Sequence, residues 1–181
     1  ISAAERIFDI LDTKADIRDR DGAGKLPQLK GEVEFSHVSF AYADEPEKMI
    51  LKDVSFKVKP GETIALVGPT GAGKTTIVNL ISRFYEAQEG EILLDGHEVS
   101  SVTLKSLRSQ LGIMTQDNFL FSGTIRENIR YGRLNASDEE VIEAAKAVNA
   151  HEFIEKLENG YATEISERGA RLSIGQRQLL A

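Results

Sequence analysis

The chain has 181 residues, 41% of them hydrophobic and 28% charged, with a net charge of −7. That suits one compact domain, or one domain with a lobe, large enough to fold without staples, and the lack of any cysteine excludes disulfides and thiolate metal sites. An acidic balance argues against nucleic acid as a partner, the widely separated His37, His97 and His151 lack metal-ligand spacing, and no apolar run approaches the roughly 20 residues that span a bilayer.

The opening SAAERIFDILD, residues 2–12, predicts a short helix with Ile7, Ile10 and Leu11 on one face. Ser2 and Glu5 have capping-box spacing there. No charged-then-apolar leader precedes it, so the chain is expected to be soluble as given. The charged, Gly- and Pro-containing stretch that follows reads as a linker or exposed loop. EVEFSHVSFAY and LKDVSFKVKPG then alternate apolar with polar residues and predict strands, the second ending in a Pro-Gly turn.

TIALVG, by contrast, is continuously apolar, the pattern of a strand buried on both faces of a parallel sheet. IVNLISRF follows with Ile77, Leu80, Ile81 and Phe84 at helical spacing. GEILLDGHEVS predicts a hairpin turning at Asp95-Gly96, and LGIMTQ a second buried strand. Beyond residue 122 the pattern is helical, with capping-box spacing at Thr124/Glu127, Ser137/Glu140 and Ser173/Gln176. Residues 137–157 predict two helices broken near Asn149, with Asn159-Gly160 ending the second.

Between the apolar strand and the first long helix lies Gly68-Pro69-Thr70-Gly71-Ala72-Gly73-Lys74-Thr75, which matches the phosphate-binding pattern GxxxxGK[ST]. Glycines let the backbone curl until its N–H groups converge on phosphate oxygens. Lys74 brings a cation to the β- and γ-phosphates, the Thr75 hydroxyl can coordinate Mg²⁺, and the positive end of the helix adds attraction. The strand before and the helix after are the context this motif needs. A guanine-reading Asn-Lys-x-Asp element is absent. The arginines after the loop are scattered rather than gathered into a lid, and Arg126, Arg130 and Arg133 read as a solvated helix face.

Near the end, ERGARLSIGQRQLLA resembles the LSGGQ signature of ATP-binding cassette (ABC) transporters. Further stretches fall in the order of that family. FAY resembles its aromatic A-loop, with Tyr42 the residue expected to stack on adenine. IMTQDNFLFSGTIRENI resembles the Q-loop of multidrug and lipid exporters, with Gln116 its glutamine. TEISERG resembles the exporter X-loop, and ISAAERIFDILD the end of a last membrane helix. By their residues alone, Tyr42 is equally a strand-end aromatic, Gln116 a loop amide bonding to backbone, and Ser173 a helix N-cap.

The resemblance implies an α/β fold: a P-loop core with a mostly parallel sheet, an antiparallel β subdomain and a helical subdomain. It divides the chain into a helix end and linker (1–30), an ATP-binding core (31–118) and a helical part carrying the signature (119–181). It implies an exporter's ATP-binding motor, with ATP and Mg²⁺ as cofactors. Tyr42, Gly68, Pro69, Thr70, Gly71, Ala72, Gly73, Lys74, Thr75 and Thr76 would hold the nucleotide. Lys74 and Gln116 would serve catalysis, and Thr75 and Gln116 the metal. Ser173, Gly175 and Gln176 would meet the γ-phosphate bound by a second nucleotide-binding domain. A transmembrane domain of the same or an associated chain is the other implied partner, at the cytoplasmic face of the cell membrane, with Phe119, Leu120 and Phe121 an apolar cluster near the coupling region. Ile174 stands where the family most often has glycine, which motivates an asymmetric pair of unlike domains.

In the family, the Walker B strand, its aspartate and the catalytic glutamate follow the signature. Asp95 and Glu91 precede the Q-loop, in the wrong order to replace them, so the 181 residues alone are expected not to turn over ATP. A cassette ATPase without a membrane partner and a non-hydrolysing regulatory module are the competing readings.

Overall fold

In the computed structural model, which describes residues 2–115, 119–165 and 172–181, the chain divides after Gly112 into two units. The first begins with helix α1 (Ser2–Asp12), whose Ile7, Phe8, Ile10 and Leu11 remain exposed. Its sheet contains β1 (Val33–Phe40), β2 (Leu51–Val58), β3 (Glu89–Leu94) and β4 (His97–Glu98), in the order β2-β1-β3-β4. Every pairing is antiparallel. The alternation read from the sequence places Phe35 opposite both Phe56 and Ile92, and the two phenylalanine rings stack at 4.6 Å.

Helix α2 (Lys74–Ile81) and the short α3 (Leu104–Arg108) complete this unit. Leu80 and Leu107 join Phe35, Val38, Leu51 and Ile92 in one core. Each such side chain contributes about 1.5–3 kcal/mol by leaving water. Register slips in both β1 ladders, where His37 and Asp53 take left-handed backbone conformations. Gly90 lies against that irregularity, and a Cβ there would collide with the carbonyls of Ser36 and His37. The β3–β4 hairpin turns at Asp95-Gly96, both with positive φ, as read from the sequence.

Two expected strands are not formed. Residues 63–68 and 111–115 carry no ladder, and Ile64, Val67 and Met114 are exposed, Val67 at 93%. The sheets of the described residues are all antiparallel. A continuous apolar run becomes a buried strand only where neighbouring strands complete its hydrogen bonds, and no strand among the described residues pairs with either segment.

The stretch read as a linker is mostly exposed, yet it is strapped to the first unit by partners far away in sequence. Asp19 accepts a hydrogen bond from the Leu104 amide at the start of α3 (2.7 Å). Gly24 forms a parallel bridge to Val102, donating to the Ser101 carbonyl and accepting from the Thr103 amide. Leu26 enters the core while its amide donates to Ser106. The Gln110 amide group receives Leu29 N–H and donates to the Pro27 carbonyl, both at 2.9 Å.

The Asp95 carboxylate accepts from the amides of Glu32 (2.8 Å), Lys30 and Gly31. These backbone donors, Glu32 first, hold its carboxyl below the usual carboxylate range. A carboxylate with a depressed folded-state pKa stabilises above its unfolded value and loses that contribution as pH falls through the folded one. Asp95→Asn is therefore expected to unfold at lower urea than wild type at pH 7, with the gap closing towards pH 3. A gap that stays constant across that range would show that charge at Asp95 plays no part.

The second unit contains β5 (Gly123–Thr124), α4 (Ile125–Arg130), α5 (Asp138–Ala147), α6 (His151–Glu155), a 3₁₀ turn (Gly160–Ala162), β6 (Glu164–Ile165) and α7 (Ile174–Leu180). All three capping boxes beyond residue 122 form, on Thr124, Ser137 and Ser173. Asn149, with φ of 58°, separates α5 from α6 where the break was read. Its core gathers Leu120, Ile125, Val141, Ile154, Tyr161 and Leu180. Of the apolar trio 119–121, Leu120 is buried, whereas Phe119 and Phe121 stay exposed at 62% and 44%.

The arginines in and just after α4 are not simply solvated. Arg126 and Arg130 both pair with Asp138, and Arg133 pairs with Glu140, in the acidic first turn of α5.

Candidate functional site

The glycine loop runs from Gly68 to Gly73 and delivers the chain into α2. Its turn closes through Ala72 N–H to the Pro69 carbonyl (3.2 Å). Gly71 and Gly73 have φ of 85° and 86°, backbone that L side chains rarely adopt. Gly73 is constrained twice. It is buried at the N-cap of α2, and a Cβ there would sit 2.8 Å from Leu51 Cδ2 and 3.2 Å from Ile50 Cγ2. The loop thus rests directly on the start of β2.

Thr or Ser side chains cap α3, α4, α5 and α7, but α2 has no side-chain cap. The N–H groups of a helix's first turn lack partners inside the helix, and with its dipole they favour an anion. Lys74, the first residue of α2, curls back so that its ammonium donates to the Gly68 and Pro69 carbonyls, both at 2.8 Å. One cation thereby staples the loop and stands over it. The Thr75 side chain is exposed beside it, whereas Thr76 is only 4% exposed.

Tyr42 follows the end of β1 and reaches this helix directly. Its hydroxyl lies 3.0 Å from Thr76 Oγ1. Its ring stands nearly perpendicular to those of Phe40 and Tyr85, with centroids 4.9 and 5.0 Å away. The structure thus brings Tyr42, the loop residues 68–73, Lys74, Thr75 and Thr76 together in one unit. Gln116 lies outside the described residues. So do residues 166–171, which include the end of the expected X-loop.

Ser173, Gly175 and Gln176 belong to the second unit, where they form the start of α7. Ser173 Oγ accepts from the Gln176 amide (3.1 Å), and the Gln176 side chain accepts from the Ser173 amide (2.9 Å). Ile174, the departure from the signature, directs a 75% exposed side chain away from that core and leaves the cap intact. Among the described residues, no group of three or more acidic or histidine side chains could hold a metal ion. The Thr75 hydroxyl suits a hard cation that keeps water and phosphate oxygens as its other ligands.

Two features escaped the sequence. Tyr85 and Gln88, from the loop after α2, both contact the Tyr42 region, and no spacing rule marks them. Arg83 and Arg108 brace the far end of α2. Arg108 donates to the Ser82 and Arg83 carbonyls at 3.1 and 2.7 Å, placing a cation on the helix's negative end.

Residues 51–181 match the family model described as ABC transporter. The whole chain is 51% identical to YfiC of Bacillus subtilis, described as an uncharacterized ABC transporter ATP-binding protein, and covers 30% of it. It is 48% identical over 181 residues to an ATP-dependent lipid A-core flippase of Syntrophus aciditrophicus, again covering 30% of that protein. Identity is 49% over 175 residues (97% of this chain and 30% of the relative) to a putative multidrug export ATP-binding/permease protein of Staphylococcus aureus. Among solved structures, a bacterial Atm1-family ABC exporter with ATP bound superposes with a TM-score of 0.88 at 44% identity, over 98% of this chain and 31% of that one. The chain therefore spans about a third of the length of the relatives it matches. With the glycine loop, the α2 start and the matched signature region on one polypeptide, this chain belongs to the ABC transporter family, and its fold is that of the ABC ATPases.

Proposed function

We propose that this chain is the ATP-binding motor domain of an ABC exporter. The observation that carries the reading is the junction of the glycine loop with Tyr42. The Lys74 ammonium reaches back over the loop to the Gly68 and Pro69 carbonyls, and the Tyr42 hydroxyl bonds Thr76, so cation, loop and aromatic ring meet at the first turn of one helix. Phosphates lie in the loop of Gly68, Pro69, Thr70, Gly71, Ala72 and Gly73, against the N–H groups of Lys74, Thr75 and Thr76. The Lys74 ammonium balances their charge, and Tyr42 stacks on the adenine. Mg²⁺, when bound, neutralises phosphate charge; the Thr75 hydroxyl would hold it, with Gln116 as a second protein ligand that also orients the attacking water.

Ser173, Gly175 and Gln176 address the γ-phosphate held by a second nucleotide-binding domain, like or unlike this one. Closure of the pair on ATP, and its release after hydrolysis, drives a transmembrane domain of the same or an associated chain from the cytoplasmic face. None of the described helices is long and apolar enough to cross a membrane.

The test is binding of Mg-ATP and inorganic triphosphate to the intact protein. Tyr42→Ala is expected to weaken ATP binding by roughly 1–3 kcal/mol, the value of a stacked base. A wild type that binds the two ligands equally well has no base platform. Steady-state hydrolysis by the intact protein in lipid separates the motor from a regulatory module, which would bind ATP without turnover.

A further inference from the structure

The residues around Tyr42 carry an inference about how the base platform is set, one that rests on the reading of Tyr42 just proposed. An aromatic side chain that stacks on a base must present its face at a fixed height above the phosphate loop, because the ribose and phosphates link the two. A tyrosine beyond a strand end, in a loop, does not have that placement by itself. Here three groups supply it.

The backbone is held first. Gln88 forms a two-point clamp on Ala41, accepting from its amide at 2.9 Å and donating to its carbonyl at 2.7 Å. The Gln88 amide also donates to the Ser39 carbonyl (3.1 Å), and the Tyr42 carbonyl accepts from Glu45 (3.1 Å). The ring is held second. Perpendicular contacts with Phe40 and Tyr85 fix its plane, and Phe40 and Tyr85 also meet one another at 5.7 Å. The hydroxyl is held third, by Thr76 on α2. Thr76 is buried, so its hydroxyl needs a partner within the protein, and Tyr42 is that partner.

We infer that Thr76, Tyr85 and Gln88 are positioning residues for the base: they lock Tyr42 to the helix that carries Lys74, so that base stacking and phosphate grip are one rigid unit. Thr76 is two residues from Lys74, and Tyr85 and Gln88 follow the same helix, so a shift of α2 moves the platform with the loop. Misplacing the ring then costs stacking without removing the loop's hold on phosphates.

The test compares affinities for Mg-ATP and inorganic triphosphate in the intact protein and in Tyr42→Phe, Thr76→Val, Tyr85→Ala and Gln88→Ala. A paired Tyr42→Phe/Thr76→Val variant completes a cycle. Each single change is expected to lower the ratio of ATP to triphosphate affinity by about three- to tenfold, the range of one neutral hydrogen bond or aromatic contact. The paired variant is expected to lose no more than the worse single one, and Thr76→Ser, which restores the hydroxyl, to recover the wild-type ratio. Losses that multiply in the pair, or a Thr76→Val loss equal for both ligands, overturn the inference. Tyr42→Ala separates the two levels. If it leaves the ratio at its wild-type value, the base platform itself is wrong. If it lowers the ratio while the four milder single changes do not, the platform stands and the bracket falls.

Discussion

Lys74→Ala is expected to weaken Mg-ATP binding to the intact protein by roughly 10- to 150-fold, while leaving its unfolding midpoint nearly unchanged. Hydrogen bonds between charged partners are each worth about 1.5–3 kcal/mol, and the ammonium is the cation placed at the glycine loop. Its present bonds go to the Gly68 and Pro69 carbonyls at the surface, so their loss releases the loop without opening the core. The core of this unit is built instead on Phe35, Val38, Leu80 and Leu107. Isothermal titration with Mg-ATP, beside urea unfolding, separates the two effects. Unchanged affinity would remove the phosphate site. A large fall in stability would recast Lys74 as a structural residue.

Arg83→Met is expected to do the reverse, costing about 3–5 kcal/mol of stability, the range for breaking a buried pair from one side. The Arg83 side chain is 1% exposed, and the residue itself takes a left-handed backbone, φ 52°, just past α2. Its guanidinium donates to Glu86 (2.8 Å), to the Val102 carbonyl (3.2 Å) and to the Arg18 carbonyl (2.9 Å). Removing it strands those carbonyls and leaves Glu86 with Arg20 alone, at 3.2 Å. Burial by itself pushes Glu86 up, but the hydrogen bonds from Arg83 and Arg20 outweigh it and hold its carboxyl below the usual range. Because Glu86 is 34% exposed, water softens its share, and the value falls towards the lower end of the range. Arg83→Lys is expected to recover little, since an ammonium cannot match a planar fork with several acceptors. Urea unfolding at pH 7 checks both, and a loss under 1 kcal/mol in Arg83→Met would show the hub to be dispensable.

Arg83 also shows where reading residues in order stops working. In the sequence it is one arginine in a run at helical spacing, and nothing marks it as buried. Its carbonyl acceptors lie 19 and 65 residues away. The strap is a similar case. Charge and glycine make residues 13–31 look like a linker, but Asp19, Leu26 and Leu29 find partners more than 79 residues on. The arginines in and just after α4 looked solvated because Asp138 and Glu140 lie beyond a turn that a helical pattern does not fold back.

The glycine loop, the hairpin at Asp95-Gly96, the break at Asn149 and the three caps beyond residue 122 were legible from the residues themselves. Each is decided by backbone freedom or by a side chain meeting an amide three residues away, so a few neighbouring positions contain the whole cause. Only the tertiary structure decided that Gly73 must lie bare against Ile50 and Leu51, that Gln88 and Tyr85 grip the Tyr42 loop, and that TIALVG stays without a ladder among the described residues. Those outcomes depend on which distant segment arrives alongside. A hydrogen bond or an edge of a ring can be completed only by a partner whose position the local sequence does not contain.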